Sequence, residues 1–457
     1  MIEIRPVNGI RGEINVPGDK SISHRAAILG ALSKEGITVG NFSTGEDCKT
    51  TLTCLKALGC EITKSDYKSG EKDLTDLDHL RSDAVGFENK VTIKAPKGLR
   101  EPKNILDAGN SGTTARLLLG LISGIPNLFA VIDGDESLKG RPMGRVTGPL
   151  ISMGAKIDGR DFGNRLPLSV RGKKLNGGTH VLQVASAQVK TAILLAGLNG
   201  QGPTTAIEPN TTRDHTEIML EHLGVPISKC GLKTTVYPTS LINGGSWNIP
   251  GDFSSAAFWI VAAAITRESE LQIKNVNVNP TRTGLLNVLK RMGLIYSIED
   301  ETLSGGEKTA TIVVKSSSLE GTKVIPEEIP SLIDELPLLA VAASQAEGIT
   351  EVTGAEELRV KESDRIHAMA VGLKKLGAQI KETKDGWIIK GKTALAGGKT
   401  RSYGDHRVAM ALAVAGLVAT SPLYLEGENC VRISYPGFFE TLRKLTQNTK
   451  AKERIQS

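Results

Sequence analysis

The sequence reads Pro17-Gly18-Asp19-Lys20-Ser21-Ile22-Ser23-His24-Arg25 near its N-terminus, and the apolar run Ala26-Ala27-Ile28-Leu29 follows at once. A turn that leads into a helix exposes free backbone N–H groups, which favour anions. The serines add hydrogen-bond donors, and Lys20 and Arg25 add positive charge. The stretch predicts an anion-binding helix start, although an ordinary capped helix with two surface cations has the same pattern.

Five later stretches share the Ala- and Leu-rich character of this helix and also predict buried helices. Together with the first, they span residues 24–32, 113–122, 188–198, 255–265, 335–346 and 406–419. The last is apolar on nearly every face, which is typical of a helix surrounded by protein. We expect these helices to form the interior of the molecule.

A glycine pattern recurs along the chain. An apolar helix end meets a glycine and then a short apolar strand, at Gly59, Gly154, Gly224, Gly293 and Gly377. Glycine suits the left-handed residue that commonly ends a helix. The repetition predicts an α/β unit with one buried helix, one amphipathic helix and several strands. We expect six such units in two domains of three.

The length of the chain agrees with this division. A chain of 457 residues is too long for one ordinary core, so two or more domains are expected. The turn at residues 243–246, Asn-Gly-Gly-Ser, is a natural boundary. Residues 65–90 are polar and charged, and we interpret them as an inserted surface excursion.

Charge and cysteine content argue against several classes of protein. The net charge of +6 is spread without a block of like charges, so a nucleic-acid patch is not expected and a small polyanionic ligand fits better. The five cysteines form no Cys-x-x-Cys pair, which predicts a reduced, cytoplasmic protein. Neither a membrane span nor an N-terminal signal pattern is expected.

Polar motifs open the predicted buried helices of the first half. Asn110 and Gly112 lie in Gly-Asn-Ser-Gly-Thr-Thr, where the backbone can approach an anion. Arg141 precedes a proline, and its guanidinium can bind a carboxylate or phosphate with two hydrogen bonds. Ser186 and Gln188 could orient a polyhydroxylated ring. A glycine-rich cap, a surface arginine and a capping serine are the respective alternatives.

The second half carries the candidate acids. Asp334 lies at the start of an apolar helix, where the helix dipole favours the anion, although a simple cap explains it equally. Lys361 and Arg365 would share one helix face with Glu362 beside both, unless they form an exposed ion-paired helix start. Arg407 lies on the first turn of the all-apolar helix, where a buried charge needs a partner or ligand.

In this order the motifs resemble those of the 5-enolpyruvylshikimate-3-phosphate synthase family, also called 3-phosphoshikimate 1-carboxyvinyltransferases. The resemblance covers residues 5–445 and includes PGDKSISHR, GNSGTTAR, RPM, SAQ, RDH, the Asp334 helix, RVKESDR and GDHR. The form GNSGTTAR is similar to that of the second class of bacterial members.

The resemblance implies an α/β fold, the two-domain inverse α/β barrel of six βαβαββ units, three per domain. The buried helices would point their N-termini into the cleft between domains. Because the family's chain crosses twice between domains, we expect residues 1–20 and 246–457 to form one domain and residues 21–245 the other. Ligands from both domains predict closure of the cleft on substrate binding.

The resemblance also implies the reaction. Family members transfer the enolpyruvyl group of phosphoenolpyruvate to the 5-hydroxyl of shikimate 3-phosphate through a tetrahedral intermediate and release phosphate. The reaction belongs to the shikimate pathway to chorismate and the aromatic amino acids, and glyphosate targets the enzyme. No cofactor or metal is implied. We expect a cytoplasmic monomer with these two substrates and no nucleic-acid or membrane partner.

Roles follow from motif position. The resemblance implies shikimate 3-phosphate contacts from Lys20, Ser21, Arg25, Ser186, Ala187, Gln188, Arg213, Asp334 and Lys361. It implies phosphoenolpyruvate contacts from Lys20, Asn110, Gly112, Arg141, Gln188, Arg365 and Arg407. Asp334 would be the base on the 5-hydroxyl, and Glu362 or Lys20 would protonate the methylene carbon. Because neighbouring cations should lower the pKa of Glu362, both proton donors stay open.

One departure and two rival functions remain. Some members carry a lysine where this chain has Ile433, so a phosphoenolpyruvate contact there is in doubt. The related transferase acting on UDP-N-acetylglucosamine uses a loop cysteine, but this chain has none between Cys60 and Cys230. A non-catalytic sugar-phosphate-binding scaffold would not need both Asp334 and Glu362. The small Gly112 predicts that glyphosate can bind, although its neighbour Ser111 could override this.

Overall fold

A computed structural model describes residues 1–65, 89–240 and 242–456 of the chain. Within these ranges the strands assemble into six small sheets. Most of the predicted surface excursion at residues 65–90 lies outside the described residues. A search of the described helices finds none with the length and apolar character needed to cross a membrane.

Six helices in the described chain are buried along most of their length, and we call them central helices one to six. In chain order they are Lys20–Leu32, Gly112–Ser123, Ala187–Gly197, Phe253–Ile265, Leu336–Gln345 and His406–Gly416. Each overlaps a predicted buried helix, so that prediction is confirmed. Their Ala- and Leu-rich composition leaves no polar face for solvent, and burial on all sides follows.

Each central helix precedes the second strand of its sheet, and this strand lies parallel to the first and antiparallel to the third. A fourth strand pairs antiparallel with the third, except in the last sheet. In spatial order, the three sheets of the first half contain Gly245–Asn248, Ile37–Gly40, Lys90–Lys94 and Glu61–Ser65; then Leu106–Asp107, Phe129–Asp133, Arg165–Arg171 and Lys156–Gly159; then Gly178–Val181, Thr204–Ile207, Lys233–Val236 and Ile227–Cys230. The fourth and fifth sheets contain Arg11–Asn15, Glu270–Asn277, Glu307–Lys315 and Ile295–Ser304; then Lys323–Val324, Gly348–Val352, Trp387–Gly391 and Gln379–Glu382. The last sheet contains Gly398–Arg401, Leu423–Glu426 and Ile2–Ile4.

A second helix completes each unit. These helices are Glu46–Ala57, Gly144–Ser152, His215–His222, Gly284–Arg291, Arg365–Lys375 and Phe438–Gln456. Shorter helical segments are Glu136–Lys139, Arg160–Gly163, Ile329–Leu332, Glu356–Val360 and Glu428–Ile433. The five glycines of the predicted pattern follow the first five of the second helices and have φ between +75° and +99°. The left-handed conformation expected of these glycines is therefore confirmed.

The chain crosses between its halves twice, at two similar Pro-Gly-Asp segments. The Asp19 N–H donates to the Pro250 carbonyl, and the Asp252 N–H donates to the Pro17 carbonyl, both at 2.8 Å. Gly18 has no room for a side chain, because an added Cβ would lie 1.7 Å from the Asn41 carbonyl oxygen. The two crossings therefore form one hydrogen-bonded pair, and each leads into a central helix.

Two separate apolar cores lie on either side of these crossings. One contains buried residues from Ile22 to Ile249, and the other contains Ile4, Ile10, Val16 and buried residues from Phe253 onward. We call the surrounding bodies the first and second lobes. We propose that the lobes are the two domains, with the boundary after Asn248 instead of after residue 245, because Gly245–Asn248 pairs with Ile37–Gly40.

Candidate active site

A cavity of about 440 Å³ lies between the lobes, at the N-terminal ends of the central helices. Each of these helix starts contributes lining residues: Lys20 and Ser21, Gly112 and Thr113, Ser186 to Gln188, Asp252 and Ser254, Asp334, and Arg407. Helix N-termini carry partial positive charge, and here they converge on one volume. The cavity has the size of a small-molecule site and favours anions.

The cavity brings together most of the predicted site residues. Its lining includes Lys20, Ser21, Gly112, Arg141, Ser186, Ala187, Gln188, Arg213, Asp334, Lys361, Glu362, Arg365 and Arg407. Arg25 and Asn110 do not line it. The buried Arg25 guanidinium donates to Thr216, Thr191 and the Ser21 carbonyl, at 2.7 to 2.9 Å. Arg25 therefore supports the Ser21 backbone from beneath the cavity in this conformation.

Asp334 is surrounded by guanidinium groups from both lobes. Arg213 of the first lobe forms an ion pair with it, and Arg365 and Arg407 of the second lobe each lie 3.5 Å from its carboxylate. Burial alone would raise the pKa of Asp334, but Arg407 and Arg213, followed by Lys361 and Arg365, hold that pKa well below its usual range. Asp334 is therefore an ionised carboxylate, and an ionised carboxylate can accept a proton.

Glu362 lies on the other side of the same arginine. Arg365 places Nη2 2.5 Å from Glu362 and Nη1 3.5 Å from Asp334, so one guanidinium bridges both carboxylates. Arg141 approaches Glu362 across the cleft at 3.6 Å. Burial would raise the pKa of Glu362, yet Arg365 and Arg141 hold it well below its usual range. Without a bound anion, Glu362 is ionised and cannot donate a proton.

Lys20 faces the cavity from the first turn of central helix one. Its Nζ lies 3.0 Å from Asp47. Burial lowers the pKa of Lys20, but Asp47, with a further contribution from Glu362, raises it above its ordinary value. Lys20 is therefore an ammonium group, able to bind an anion or donate a proton.

Gly112 leaves space beside two arginines. An added Cβ would lie 3.0 Å from Arg116 Nη1 and 3.5 Å from Arg141 Nη1. Arg116 donates to the Gln188 side chain at 2.6 Å, and Gln188 donates to Thr113 at 2.9 Å. Gly112 therefore keeps two guanidinium groups accessible from the cavity.

Several residues that line the cavity were not predicted from the sequence. Arg116 lies one turn after Gly112 inside a motif already recognised, so helical spacing could have found it. Arg145 pairs with Glu357 of the other lobe at 2.9 Å, and Arg282 lies in a segment without a recognised pattern. Pairing between residues more than 200 positions apart leaves no local signal.

The described residues contain no group of three or more His, Cys, Asp or Glu side chains arranged to hold a metal ion. The polar lining is instead rich in fixed positive charge, with nearby carboxylates. This arrangement suits proton transfer and stabilisation of anions.

Sequence comparison agrees with this geometry. The family model for EPSP synthase (3-phosphoshikimate 1-carboxyvinyltransferase) matches residues 4–76 and 71–442. The chain belongs to the EPSP synthase family. Proteins named 3-phosphoshikimate 1-carboxyvinyltransferase from Desulforudis audaxviator and Bacillus cereus are 49% and 46% identical, over 97% of this chain and 99% of each relative.

Solved structures agree as well. An EPSP synthase from Acinetobacter baumannii is 40% identical, with a TM-score of 0.82 over 97% of this chain and 98% of that chain. The enolpyruvyl transferase NikO from Streptomyces tendae, 19% identical with a TM-score of 0.74 over 97% and 96% of the two chains, shares the fold. The expected inverse α/β barrel of the EPSP synthase family is thus confirmed, whereas the second-class assignment stays a prediction.

Membership of the EPSP synthase family also weighs on the rival functions. Relatives near half identity carry the name 3-phosphoshikimate 1-carboxyvinyltransferase over almost their whole length. Neither the UDP-N-acetylglucosamine transferase nor the non-catalytic scaffold is favoured. The chain is therefore an enzyme of the transferase class.

Proposed function

We propose that this chain transfers the enolpyruvyl group of phosphoenolpyruvate to the 5-hydroxyl of shikimate 3-phosphate and releases phosphate. The observation that carries the proposal is the Arg365 guanidinium, which bridges Asp334 and Glu362 inside a cation-rich cavity. The reaction needs one base, one acid and cations for several anionic groups. Candidate groups for the base, the acid and the cations all line the same cavity.

We assign the substrate contacts by motif position, as the family resemblance implies. Ser21, the segment Ser186–Gln188, Arg213 and Lys361 would hold shikimate 3-phosphate, with Arg25 supporting Ser21 from below. Lys20, Gly112, Arg141, Arg365 and Arg407 would hold phosphoenolpyruvate, with Asn110 fixing Arg141 through a hydrogen bond of 2.8 Å. In this assignment Arg25 and Asn110 support residues that would contact the substrates.

The proton steps use Asp334 as the base and Glu362 or Lys20 as the acid. Protonation of the phosphoenolpyruvate methylene makes the adjacent carbon electrophilic, and the 5-hydroxyl attacks it while Asp334 accepts the hydroxyl proton. The group that protonated the methylene then takes a proton back from the methyl group, and phosphate leaves with the proton held by Asp334, which gives the enol ether and restores both groups. Preorganised cations stabilise the charge throughout.

Substrate binding would make Glu362 a better acid. The phosphate and carboxylate of phosphoenolpyruvate would neutralise Arg365, Arg141 and Lys20, which removes the charges that lower the pKa of Glu362. The pKa of Glu362 then rises and the enzyme takes up a proton. Lys20 is the alternative donor, already protonated in the free protein.

The experiment that tests the function is a phosphate-release assay. We expect release when the protein is incubated with shikimate 3-phosphate and phosphoenolpyruvate together, and none with either alone. Release with the UDP-sugar instead of shikimate 3-phosphate would support the rival transferase. An absence of phosphate release with both acceptors would support the non-catalytic sugar-phosphate-binding scaffold.

Replacing Gly112 with alanine should weaken phosphoenolpyruvate binding, because the added methyl displaces Arg116 Nη1 from 3.0 Å and crowds Arg141. We expect KM for phosphoenolpyruvate to rise about tenfold, which corresponds to roughly 1.4 kcal/mol. Inhibition by glyphosate, measured in the same assay, should weaken at least as much. Gly437→Ala is the control, because an added Cβ there meets nothing within 4 Å. An unchanged KM in Gly112→Ala would contradict the assignment.

Replacing Arg145 with glutamine should make closure harder, because the 2.9 Å pair with Glu357 joins the two lobes. The pair is partly exposed, so we expect KM for both substrates to rise only about threefold at low salt. The difference should vanish near about 1 M salt, where screening is strong. Arg171→Gln breaks an Arg–Glu pair inside the first lobe and should leave KM unchanged. A salt-independent effect of Arg145→Gln would count against a role in closure.

A further inference from the structure

A second charge cluster lies beside Asp334 in the wall of the cavity, which Asp252, Ser254 and Arg282 help to line. Arg282 and Glu335 have side chains that are 2% and 1% exposed, with 3.3 Å between Arg282 Nη1 and Glu335 Oε1. Arg282 Nη2 lies 3.3 Å from Asp252 and 2.5 Å from the Ser254 hydroxyl. Ser254 in turn donates to Glu335. The cluster joins the starts of central helices four and five.

Arg407 connects this cluster to the candidate base. Its Nη2 lies 3.5 Å from the Asp334 carboxylate, and its Nη1 lies 3.8 Å from Glu335. Nη1 also donates to the Asp334 carbonyl at 3.1 Å. Two adjacent carboxylates therefore compete for one guanidinium. Glu335 Oε2 has no hydrogen-bond partner among the described residues, so Glu335 could take more of Arg407 than it does.

We propose that Arg282 is a positioning residue: by neutralising Glu335 it keeps the Arg407 guanidinium on Asp334. A buried carboxylate that loses its cation is costly and draws the nearest remaining one. For Glu335 the nearest remaining cation is Arg407. Without Arg282, Arg407 would turn from Asp334 towards Glu335.

Loss of Arg282 would therefore affect both proton transfer and the binding of phosphoenolpyruvate. Burial raises the pKa of Asp334, and Arg407, Arg213, Lys361 and Arg365 lower it, with Arg407 contributing most. Withdrawal of Arg407 therefore raises the pKa of Asp334, so the base loses its charge at a higher pH. The same movement takes a cation from the phosphoenolpyruvate side. The inference rests on the proposed function, because both effects are read through that reaction.

The test compares Arg282→Gln with the double variant Arg282→Gln, Glu335→Gln. We expect the single variant to show kcat lowered about tenfold and KM raised for phosphoenolpyruvate but not for shikimate 3-phosphate. The acidic limb of its kcat–pH profile should move to higher pH. The double variant removes the competing carboxylate, so its pH limb and KM should return to those of the unmodified enzyme.

Each outcome decides the matter. If Arg282 contacted substrate directly, the double variant would stay as impaired as the single one, and the proposal would be wrong. An unshifted pH limb in the single variant also overturns it. If Arg282→Gln fails to fold, Arg282→Lys must show a smaller shift of the acidic limb of the kcat–pH profile, also to higher pH. Failure of the unmodified chain to release phosphate refutes the proposed function instead.

Discussion

Replacing Asp334 with asparagine is expected to lower kcat by about 10³-fold or more, because an amide cannot accept the proton of the attacking hydroxyl. KM should not rise in parallel. Asparagine removes a negative charge from among Arg213, Arg365 and Arg407, which leaves the cavity more attractive to anions. Steady-state phosphate release, with each substrate varied in turn, measures both parameters.

Asp214→Asn is the matched control for this variant. Asp214 and Asp334 have side chains of equal exposure, 16%, and both have a pKa lowered from the usual value. Asp214 pairs with Lys229 and accepts from Asn279 outside the cavity lining. We expect the control to keep kcat within about fivefold. Equal losses in both variants would mean that kcat reports carboxylate loss in general, and Asp334 would no longer be the base.

Replacing Glu362 with glutamine should lower kcat by about 10²-fold or more if Glu362 delivers the proton to the methylene carbon. An acid must be protonated to work, so kcat of the unmodified enzyme should fall as pH rises through the pKa that Glu362 has in the substrate complex. That alkaline limb should disappear in Glu362→Gln. A loss of less than about tenfold would assign the proton to Lys20 instead.

Calorimetry can measure the protonation of Glu362 on substrate binding independently of kcat. Because Arg365 and Arg141 hold the pKa of Glu362 low in the free protein, binding of an anion should be accompanied by proton uptake. Binding enthalpies of the two substrates in buffers of different ionisation enthalpy measure this uptake. It should be lost in Glu362→Gln and kept in Glu328→Gln, which breaks a pair with Arg291 in the same lobe. Uptake that persists without Glu362 would point to another group.

Local pattern was enough to predict much of the architecture. The Ala- and Leu-rich runs correspond to the central helices, and the repeated glycines have the left-handed conformation that ends a helix. These features depend on a few consecutive residues, so a sequence reveals them directly. The motif order then indicated the family.

The sequence also indicated Lys20 as a cation at a helix start, Asp334 at the start of an apolar helix and Glu362 beside two cations, and the family resemblance then implied their roles. It could not show that one arginine bridges Asp334 and Glu362, or that Arg25 is occupied by Thr191 and Thr216. Nor could it show that Arg282 pairs with Glu335. Apart from Glu362 and Arg365, which are close in sequence, these contacts join residues that are distant in the chain but lie within one lobe. The periodicity of side chains along an element carries no information about such distant contacts, so only the tertiary packing within each lobe decided which charged groups pair with each other.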